Sequence, residues 1–392
     1  MARGSIRKRG QTWTVTVDVG RDPTTRKRRQ ISKGGFKTRR DANRWLTHTL
    51  GQLDQGSYVT PTRQTVGEHL LEWLPAIRSS LRPATFESYE RNVRQHLIPA
   101  VGHVWLDQLT PDRLATVYAE LHRTGRLDGA GGLSPRSIRY LNTILGKALG
   151  DAVAEGKLAR NVAQAPTLRR RLPRHAKPEM STWSAAELAS FLDQLRGDPL
   201  HAPILLAATT GMRRGEVLGL RWRDTDLDAG RVAIRQTLAA VRDVDGDCGR
   251  HLLVFGEPKT AKGRRTVPLP PQTIAVLRAH RRAQAADRLA AGPDYRDQDL
   301  VFAEPDGSPI HPDKFRKRFE IRIARSGLPR IRFHDLRHTS ATLALRAGVH
   351  PKVVAEVLGH ANISITLDTY SHAIPAMQES AAATVARLVF GS

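Results

Sequence analysis

The chain has 392 residues, of which 62 are Lys or Arg and 38 are Asp or Glu, so its formal net charge is +24. This surplus favours a polyanionic partner, nucleic acid above all, over the alternative of an unusually basic soluble enzyme. Cys248 is the single cysteine, which excludes an internal disulfide and a Cys-based zinc site. No apolar run is long enough to span a membrane and residues 1–10 lack a secretory leader pattern, so we expect a cytosolic protein.

Residues 1–58 are predicted to form a small basic unit of strands and one helix. Residues 12–20 alternate like a half-buried strand, and residues 26–36 offer a second strand, with a further one starting after Gly35. Residues 37–56 fit a helix that ends at Gly56. Residues 1–60 hold fourteen Lys and Arg against four Asp and Glu, which favours a DNA-binding sheet over a merely solvated one. The expected DNA contacts are Lys8, Arg9, Arg28, Arg29 and Arg39.

Residues 64–165 are typical of an all-helical domain with four helices. Thr65 and Glu68 have the three-residue spacing of a capping box, which predicts the start of the first helix. Thr110 and the following Pro predict the start of the third. Arg, Thr and Asn on the exposed faces indicate a helical clamp, while a plain helical spacer is the alternative.

Residues 166–180 contain three prolines and many basic residues, which predicts a stiff linker. Residues 181–392 form the largest predicted domain, which opens with a capping box of Ser184 and Glu187. Strands are expected within residues 230–238 and 251–270, and the remainder is mostly helical. The predicted fold class is therefore multidomain and mainly α, with α+β parts in the N-terminal unit and the last domain.

Common cofactor motifs are missing from the sequence. There is no Gly-rich phosphate loop of the ATP-binding kind and no metal-ligand cluster of the HExxH or Cys/His kind. We therefore expect neither a nucleotide cofactor nor a metal, although scattered acidic residues leave a two-metal site open at this point.

Four motifs in the last domain carry side chains suited to phosphate chemistry. Residues 209–228 contain Arg213 and Glu216, three apart on a helix; residues 258–270 contain Lys259. Residues 333–348 contain His334 and Arg337, and residues 358–372 contain His360 and Tyr370. Each motif alone is explained more simply, by a surface ion pair, a solvated lysine or a packed tyrosine. Together they supply a nucleophile, two phosphate clamps, an acid and orienting groups, which is what attack on a phosphodiester requires.

The order and local contexts of these motifs closely resemble the tyrosine recombinases, the family of the lambda-type phage integrases and the Xer recombinases. The resemblance lies in "TGMRRGE", "PKT", "RRTVPL", "HDLRHTSAT" and "LGHANISITLDTYSH". It extends more loosely to the helical segment and to the basic N-terminal unit, which resembles an arm-type DNA-binding domain. The resemblance implies a site-specific DNA recombinase, the integrase of a phage or integrative element.

The resemblance also implies a role for each residue. Arg213 and Arg337 would grip the scissile phosphate, because a guanidinium is always charged and binds oxyanions through forked hydrogen bonds. Lys259 would protonate the departing 5′ oxygen. His334 would help to accept the Tyr370 proton and His360 would hydrogen-bond the phosphate. Tyr370 would form a 3′-phosphotyrosyl bond, which conserves the energy of the broken phosphodiester, so that rejoining needs no ATP.

Two further residues near this set are expected to be supporting ones. Glu216 would hold the guanidinium of Arg213 from behind. His338 follows Arg337 but points about 100° round the helix, so we expect it to be structural or to contact DNA.

The partners implied by the resemblance are double-stranded DNA, at core and arm-type sites, and three further copies of the chain in a synaptic tetramer. An excisionase or a host DNA-bending protein could assist, and no membrane is involved. Residues 375–392 are predicted to form a short amphipathic helix, which either packs on its own domain or docks on a neighbouring protomer. Two rival functions remain: a type IB topoisomerase with the same nucleophile, and a catalytically silent DNA-binding regulator.

Overall fold

A computed structural model describes residues 4–21, 26, 28–54, 63–174, 180–242, 251–258, 260–360, 362–370 and 389–391. The chain divides into two compact units, Met1–Ala176 and Lys177–Ser392. Within the described ranges, no helix has the length and apolar character that crossing a membrane requires.

The first unit begins with a three-stranded antiparallel sheet in the order β1-β2-β3. The strands are β1 (Gly4–Arg9), β2 (Thr12–Arg21) and β3 (Arg28–Phe36), and α1 (Arg39–Asp54) follows. Val15 and Val17 of β2 are buried together with Ala42 of α1, because alternate residues of β2 point towards the helix. The expectation of a strand after Gly35 was wrong. The third strand is β1, whose burial pattern is almost wholly exposed and gives no clear apolar alternation.

The predicted DNA contacts lie on this sheet and at the start of α1. Lys8 and Arg9 are exposed on β1, and Arg29 lies within β3. Arg28 is also exposed, but its Nε lies 2.6 Å from Asp18 Oδ2, so part of its charge is neutralised within the sheet. The Arg39 guanidinium lies over the Trp13 ring at 5.8 Å from its centroid. The binding role of these residues stays a prediction.

The helical part of the first unit has the four predicted helices, one of them interrupted. Their bounds are α2 (Val66–Ile77), α3 (Pro83–Asn92), α4 (Ile98–Val101), α5 (Pro111–Thr124) and α6 (Pro135–Ala154). A π-helical segment of five residues joins α3 to α4, so these two are one interrupted helix. The predicted capping box of Thr65 and Glu68 is confirmed. Leu141, Ile144 and Leu145 of α6 are fully buried in the core.

The first residues of the predicted linker are helical. Pro166–Arg171 form α7, and Leu168 and Leu172 are buried in the same helical core as α6. The prolines at 166 and 173 therefore flank a short helix rather than stiffen an extended chain, since Pro is well placed at a first helical position. Residues 175–179 lie outside the described ranges.

The second unit contains eight helices and two small sheets among its described residues. The helices are α8 (Ala185–Gln194), α9 (His201–Thr210), α10 (Arg214–Leu218), α11 (Pro271–Ala291), α12 (Pro312–Ser326), α13 (Phe333–Arg346), α14 (Pro351–Leu358) and α15 (Ile363–Tyr370). The strands are β4 (Thr225–Asp226), β5 (Arg231–Ile234), β6 (Thr237–Arg242), β7 (His251–Gly256) and β8 (Arg265–Pro268). The predicted capping box of Ser184 and Glu187 is confirmed.

Each of the two predicted strand regions contributes strands to both sheets, a pairing that the sequence did not show. Strands β4, β5 and β8 form one antiparallel sheet, while β6 and β7 form a separate two-stranded hairpin. Val232 and Val267, which are direct partners in β5 and β8, are both buried in the main core of this unit. The core holds the short strand β8 against α10 and α14, and these elements carry the residues described next.

Candidate active site

Arg213 is positioned by a tight turn between α9 and α10. Gly211 ends α9 with φ of 64°, a left-handed conformation that glycine adopts without strain. Arg213 then precedes the first residue of α10, and its backbone N–H donates to Glu216 Oε2 at 2.9 Å. Its Nη1 donates to Glu216 Oε1 at 2.8 Å, while 42% of the side chain stays exposed. The predicted pairing of Arg213 with Glu216 is thus present, with the rest of the guanidinium open to solvent.

Glu216 is shared with a second arginine, Arg265 of β8. Arg265 Nη2 donates to Glu216 Oε2 at 2.9 Å and its Nη1 donates to Oε1 at 3.2 Å. Both side chains are buried, with 7% of Arg265 and 2% of Glu216 exposed. Burial alone would raise the pKa of Glu216, but the hydrogen bonds and charge of Arg265, and then those of Arg213, outweigh it and lower the pKa. Glu216 is therefore a buried carboxylate between two cations.

Arg265 also connects β8 to the end of α14. Its Nε donates to the carbonyl oxygen of Val357 at 2.6 Å. Gly359, two residues later, has φ of 67° and lies directly against this guanidinium. A Cβ at Gly359 would be 3.0 Å from Arg265 Nη1 and 2.8 Å from the Lys262 carbonyl oxygen. Glycine is therefore required there both by the backbone conformation and by the close approach of Arg265.

Arg337 is buried, and the ends of two helices fix its orientation. Its Nη1 donates to the Gly211 carbonyl oxygen after α9, and its Nη2 donates to the Leu358 carbonyl oxygen at the end of α14, each at 2.7 Å. Carbonyls at helix C-termini carry partial negative charge, which compensates the buried cation. Desolvation, followed by the charge of Arg213, lowers the pKa of Arg337 to about 9, so the group is still charged at neutral pH.

His334 lies in the first turn of α13, three residues before Arg337. His334 is exposed to solvent. Its ring packs edge to face against the ring of His338, with 5.0 Å between the ring centroids. Partial desolvation, followed by the neighbouring His338, Arg337 and Arg213, lowers the pKa of His334 to about 4. His334 is therefore neutral at physiological pH.

His360 occupies the turn between α14 and α15. Its Nδ1 lies 2.7 Å from Oγ1 of Thr366, a residue with no exposed surface. Desolvation, followed by the charges of Arg337 and Arg213, lowers the pKa of His360 to about 4. This imidazole is also neutral at physiological pH, and the bond to Thr366 sets its orientation.

Tyr370 is the last residue of α15 and is 1% exposed. It packs against Ala341 and Leu345 of α13 and against Val354 and Leu358 of α14. Its hydroxyl lies 2.8 Å from His338 Nδ1. Burial raises the pKa of Tyr370 to about 12, although Arg337 acts in the opposite direction. Tyr370 is therefore a packed residue whose hydroxyl also lies within electrostatic reach of Arg337, and its role as the nucleophile stays a prediction.

The structure brings together five of the six predicted catalytic residues. Arg213, His334, Arg337, His360 and Tyr370 come from four separate segments, and their charges act on one another. The sixth residue, Lys259, lies outside the described residues, as do Cys248 and most of the predicted tail helix. Among the described residues, no group of three or more His, Cys, Asp or Glu is arranged to hold a metal ion.

Two contacts of the site were not foreseen from the sequence. His338, which was expected to be structural or to contact DNA, bonds to the Tyr370 hydroxyl; its place one turn after His334 was the available signal. Arg265 was not singled out. Its partners Glu216 and Val357 are 49 and 92 residues away in the sequence, so no local pattern could reveal them.

Comparisons with known proteins cover almost the whole chain. Residues 185–377 match the phage integrase family, residues 5–53 match an arm DNA-binding domain, and residues 65–122 match the N-terminal SAM-like domain of phage integrases. A XerC-like tyrosine recombinase of Caldanaerobacter subterraneus is 31% identical over 95% of both chains. An integrase of Streptomyces ambofaciens is 27% identical over 95% of this chain and 92% of its own.

Solved structures share the fold at lower identity. The Tn1549 transposon integrase, in complex with transposon right end DNA, has a TM-score of 0.66 and 20% identity over 83% of this chain and all of that one (100%). A lambda integrase dimer bound to a core site has a TM-score of 0.53 and 16% identity, over 93% of this chain and 94% of that one.

The arrangement of arginine, histidine and tyrosine on this fold, together with these matches, defines the class of the protein: the chain belongs to the tyrosine recombinase family. It is a tyrosine-type site-specific recombinase, an enzyme of DNA recombination related to the integrases of phages and mobile elements.

Proposed function

We propose that this protein is the integrase of a phage or integrative element and that it cuts and rejoins DNA through a covalent bond between Tyr370 and a 3′ phosphate. The observation that carries the proposal is the convergence of Arg213, His334, Arg337 and His360 around Tyr370. Sequence proximity does not explain this convergence, since the segments are spread between residues 211 and 370. The proposed reaction uses neither a metal ion nor ATP.

The two arginines are assigned to the phosphate. Arg337 uses two of its five N–H donors on the carbonyls of Gly211 and Leu358, which leaves three donors on a guanidinium of fixed orientation. Arg213 is anchored through Nη1 and is exposed over 42% of its side chain, so a bulky DNA phosphate can reach it. Negative charge grows on the non-bridging oxygens as the fifth bond to phosphorus forms, so both contacts strengthen in the transition state.

The neutral histidines can add hydrogen bonds without adding charge. His360 has Nδ1 committed to Thr366, so Nε2 is the nitrogen available for a phosphate oxygen. His334 is exposed above the arginines and can contact the same phosphate. Lys259, on sequence grounds alone, is assigned as the acid that protonates the leaving 5′ oxygen. Glu216 is assigned to holding Arg213 in place.

The assembly that we propose is a tetramer on two core sites, with the N-terminal sheet bound to separate arm-type sites. The family's arm-type domain model covers the residues that carry the exposed Lys8 and Arg9. An excisionase or a host DNA-bending protein could set the direction of the reaction. The proposed place of action is the bacterial cytosol, where the DNA lies. Many phosphate contacts would make binding steeply dependent on salt.

A covalent capture experiment tests the proposed function on unselected DNA, so that the protein itself chooses the target site. Purified protein is incubated with fragmented DNA of the bacterium that carries its gene, and protein-linked fragments are recovered under denaturing conditions and sequenced. The wild-type protein should recover one or a few sites repeatedly, whereas Tyr370→Phe should recover none. Recovery of the same sites by Tyr370→Phe, or no recovery by the wild type at any salt concentration, would contradict the proposal.

Mixing two copies of a recovered site then separates recombination from simple relaxation. Recombinant joints are expected from the wild-type protein. Relaxed supercoils without joints would favour the type IB topoisomerase alternative.

A further inference from the structure

We propose that His338 is the proton acceptor for Tyr370, so that the nucleophile's proton passes to Nδ1 of this residue and not to His334. This inference rests on the proposed function and adds a catalytic residue to it. The observation behind it is the contact itself, because His338 Nδ1 lies 2.8 Å from the reacting hydroxyl oxygen.

The position of His338 suits proton transfer. The His338 and Tyr370 ring centroids are 5.7 Å apart with 56° between the ring planes, so the imidazole edge meets the phenol oxygen. The residue follows Arg337 directly in α13, which places the acceptor beside a proposed phosphate ligand. His334 lies one turn earlier and contacts the His338 ring edge to face. His334 is therefore in position to orient the acceptor, and it is itself exposed.

The nucleophile needs such an acceptor because its surroundings do not ionise it. Burial raises the pKa of Tyr370 to about 12, so only about one molecule in 10⁵ carries a tyrosinate at pH 7. A phosphate brought against this oxygen adds negative charge and disfavours ionisation further. Removal of the proton during attack by a hydrogen-bonded base avoids this penalty.

The groups around His338 keep it neutral at rest. Desolvation lowers the pKa of His338, and Arg337 and Arg332 act in the same direction, while Asp335 opposes them. Among the described residues, His334 on the same helix, His360 before α15 and Tyr370 itself also face it. A neutral ring with its hydrogen on Nε2 offers the Nδ1 lone pair to the tyrosine hydroxyl. Once protonated, the imidazolium is stabilised by Asp335 and by the phosphate.

Bonds and protons balance both in strand cleavage and in strand rejoining. In cleavage, the Tyr370 O–H bond breaks and its proton moves to Nδ1. The phenol oxygen bonds to phosphorus, the bond from phosphorus to the 5′ oxygen breaks, and that oxygen takes a proton from the proposed acid Lys259. In rejoining, the 5′ hydroxyl attacks phosphorus and returns its proton to Lys259, while the leaving tyrosine oxygen takes back its proton from His338. The imidazole therefore holds the proton while the covalent intermediate exists.

His338→Asn is the informative variant. The asparagine carbonyl oxygen lies close to the place of Nδ1 and can accept the tyrosine hydrogen bond, but it cannot take the proton. Rates of covalent adduct formation are measured on a nicked suicide substrate between pH 6 and pH 9, for the wild type, His338→Asn and His338→Leu. His251→Asn on the exposed end of strand β7 is the matched control, because it is the same substitution at an exposed residue of a strand that carries no site residue.

The expected result is a loss of about 10²- to 10⁴-fold at pH 7 in both His338 variants, with a normal rate for His251→Asn. The wild-type rate should be flat from pH 7 to pH 9, because the pKa of His338 lies below its ordinary value. The rate of His338→Asn should rise about tenfold for each pH unit, since hydroxide then has to supply the tyrosinate.

Two results would overturn the proposal. A near-normal rate for His338→Asn combined with a loss in His338→Leu would show that the bond only positions the tyrosine. A loss in His338→Asn that does not change with pH would also exclude proton acceptance. Thermal melting and a DNA mobility shift identify variants that have not folded. If His338→Leu does not fold, the pH profile of the folded His338→Asn protein alone decides whether His338 accepts the proton. The proposed function is tested independently of His338: it stands if the wild type forms the adduct and Tyr370→Phe does not, whatever the His338 variants show.

Discussion

The proposed phosphate-binding half and the proposed nucleophile half of the site are built in different ways. In the first half, Arg265, Glu216 and Arg337 are buried, and their hydrogen bonds run to a carboxylate and to backbone carbonyls. In the second half, the Tyr370 hydroxyl bonds to the side chain of His338, and His360 bonds to the side chain of Thr366. The cationic half is therefore fixed before DNA arrives, whereas the nucleophile depends on a few contacts within α13, α14 and α15.

This difference follows from the charges involved. A buried cation is costly unless its partners are exact in geometry, so the arginines are surrounded by partners from α9, α10, β8 and α14. A neutral phenol has no such requirement and can be held by a small apolar cluster with one hydrogen bond. Substitutions in the first half should therefore reduce both folding stability and activity, whereas substitutions in the second half should mainly reduce activity.

The largest loss is expected from Arg337→Lys. A lysine has a single charged nitrogen and cannot reach both the Gly211 and the Leu358 carbonyl while contacting a phosphate. Adduct formation on a suicide substrate should fall by about 10³-fold or more, since each transition-state donor is worth about 10²- to 10³-fold. DNA binding in a mobility shift should change little. A rate close to that of the wild type would show that the forked geometry of Arg337 is not needed.

A smaller loss is expected from Arg265→Gln, through stability and through Arg213. Removing one partner of a buried ion pair leaves Glu216 undercompensated, and this should cost about 3–5 kcal/mol of unfolding free energy. Denaturant titration measures the cost, and Arg265→Gln combined with Glu216→Gln should recover part of it, because the stranded charge is gone. Adduct formation should stay low in the double variant, because Arg213 has lost its carboxylate. Full additivity of the two changes would contradict the proposed shared network.

The smallest effect is expected from Gly359→Ala, and it tests the contact between the two halves. Gly359 and Gly327 both have positive φ, of 67° and 71°, so alanine strains the backbone alike at either position, at about 1–2 kcal/mol. Only at Gly359 would the new Cβ meet the Lys262 carbonyl and Arg265. Gly359→Ala should therefore melt at a lower temperature than Gly327→Ala and should slow adduct formation. Equal melting and equal rates in the two variants would show that the two halves are independent.

Much of this architecture could be predicted because it depends on sequence patterns between residues that are close together in the chain. The capping boxes at Thr65 and Ser184 and the apolar stripe of α6 are such patterns, and so is the spacing from Arg213 to Glu216. Strand β1 was missed because its burial pattern leaves only Ile6 half-buried, so no alternation marks it. The π segment between α3 and α4 has no local sign either.

The contacts of Arg265 and His338 could not be predicted for a different reason. Arg265 gains its role from Glu216 and from the Val357 carbonyl, which only the folded chain brings to it. The partner of His338 was not foreseen, because helical geometry relates this residue correctly to Arg337 but says nothing about which element covers it. Here α15 covers it with Tyr370. Side chains that act through distant partners are therefore the part of a site that sequence patterns leave out.

Mass spectrometry of the covalent adduct tests the central claim most directly. Adducts formed on a suicide substrate are treated with nuclease and protease, and the peptide that carries the remaining nucleotide is sequenced. The expected product is a nucleotide attached through a 3′ phosphate to the Tyr370 oxygen, and Tyr370→Phe should give no such peptide. Attachment to any other side chain, or a 5′ linkage at Tyr370, would contradict it.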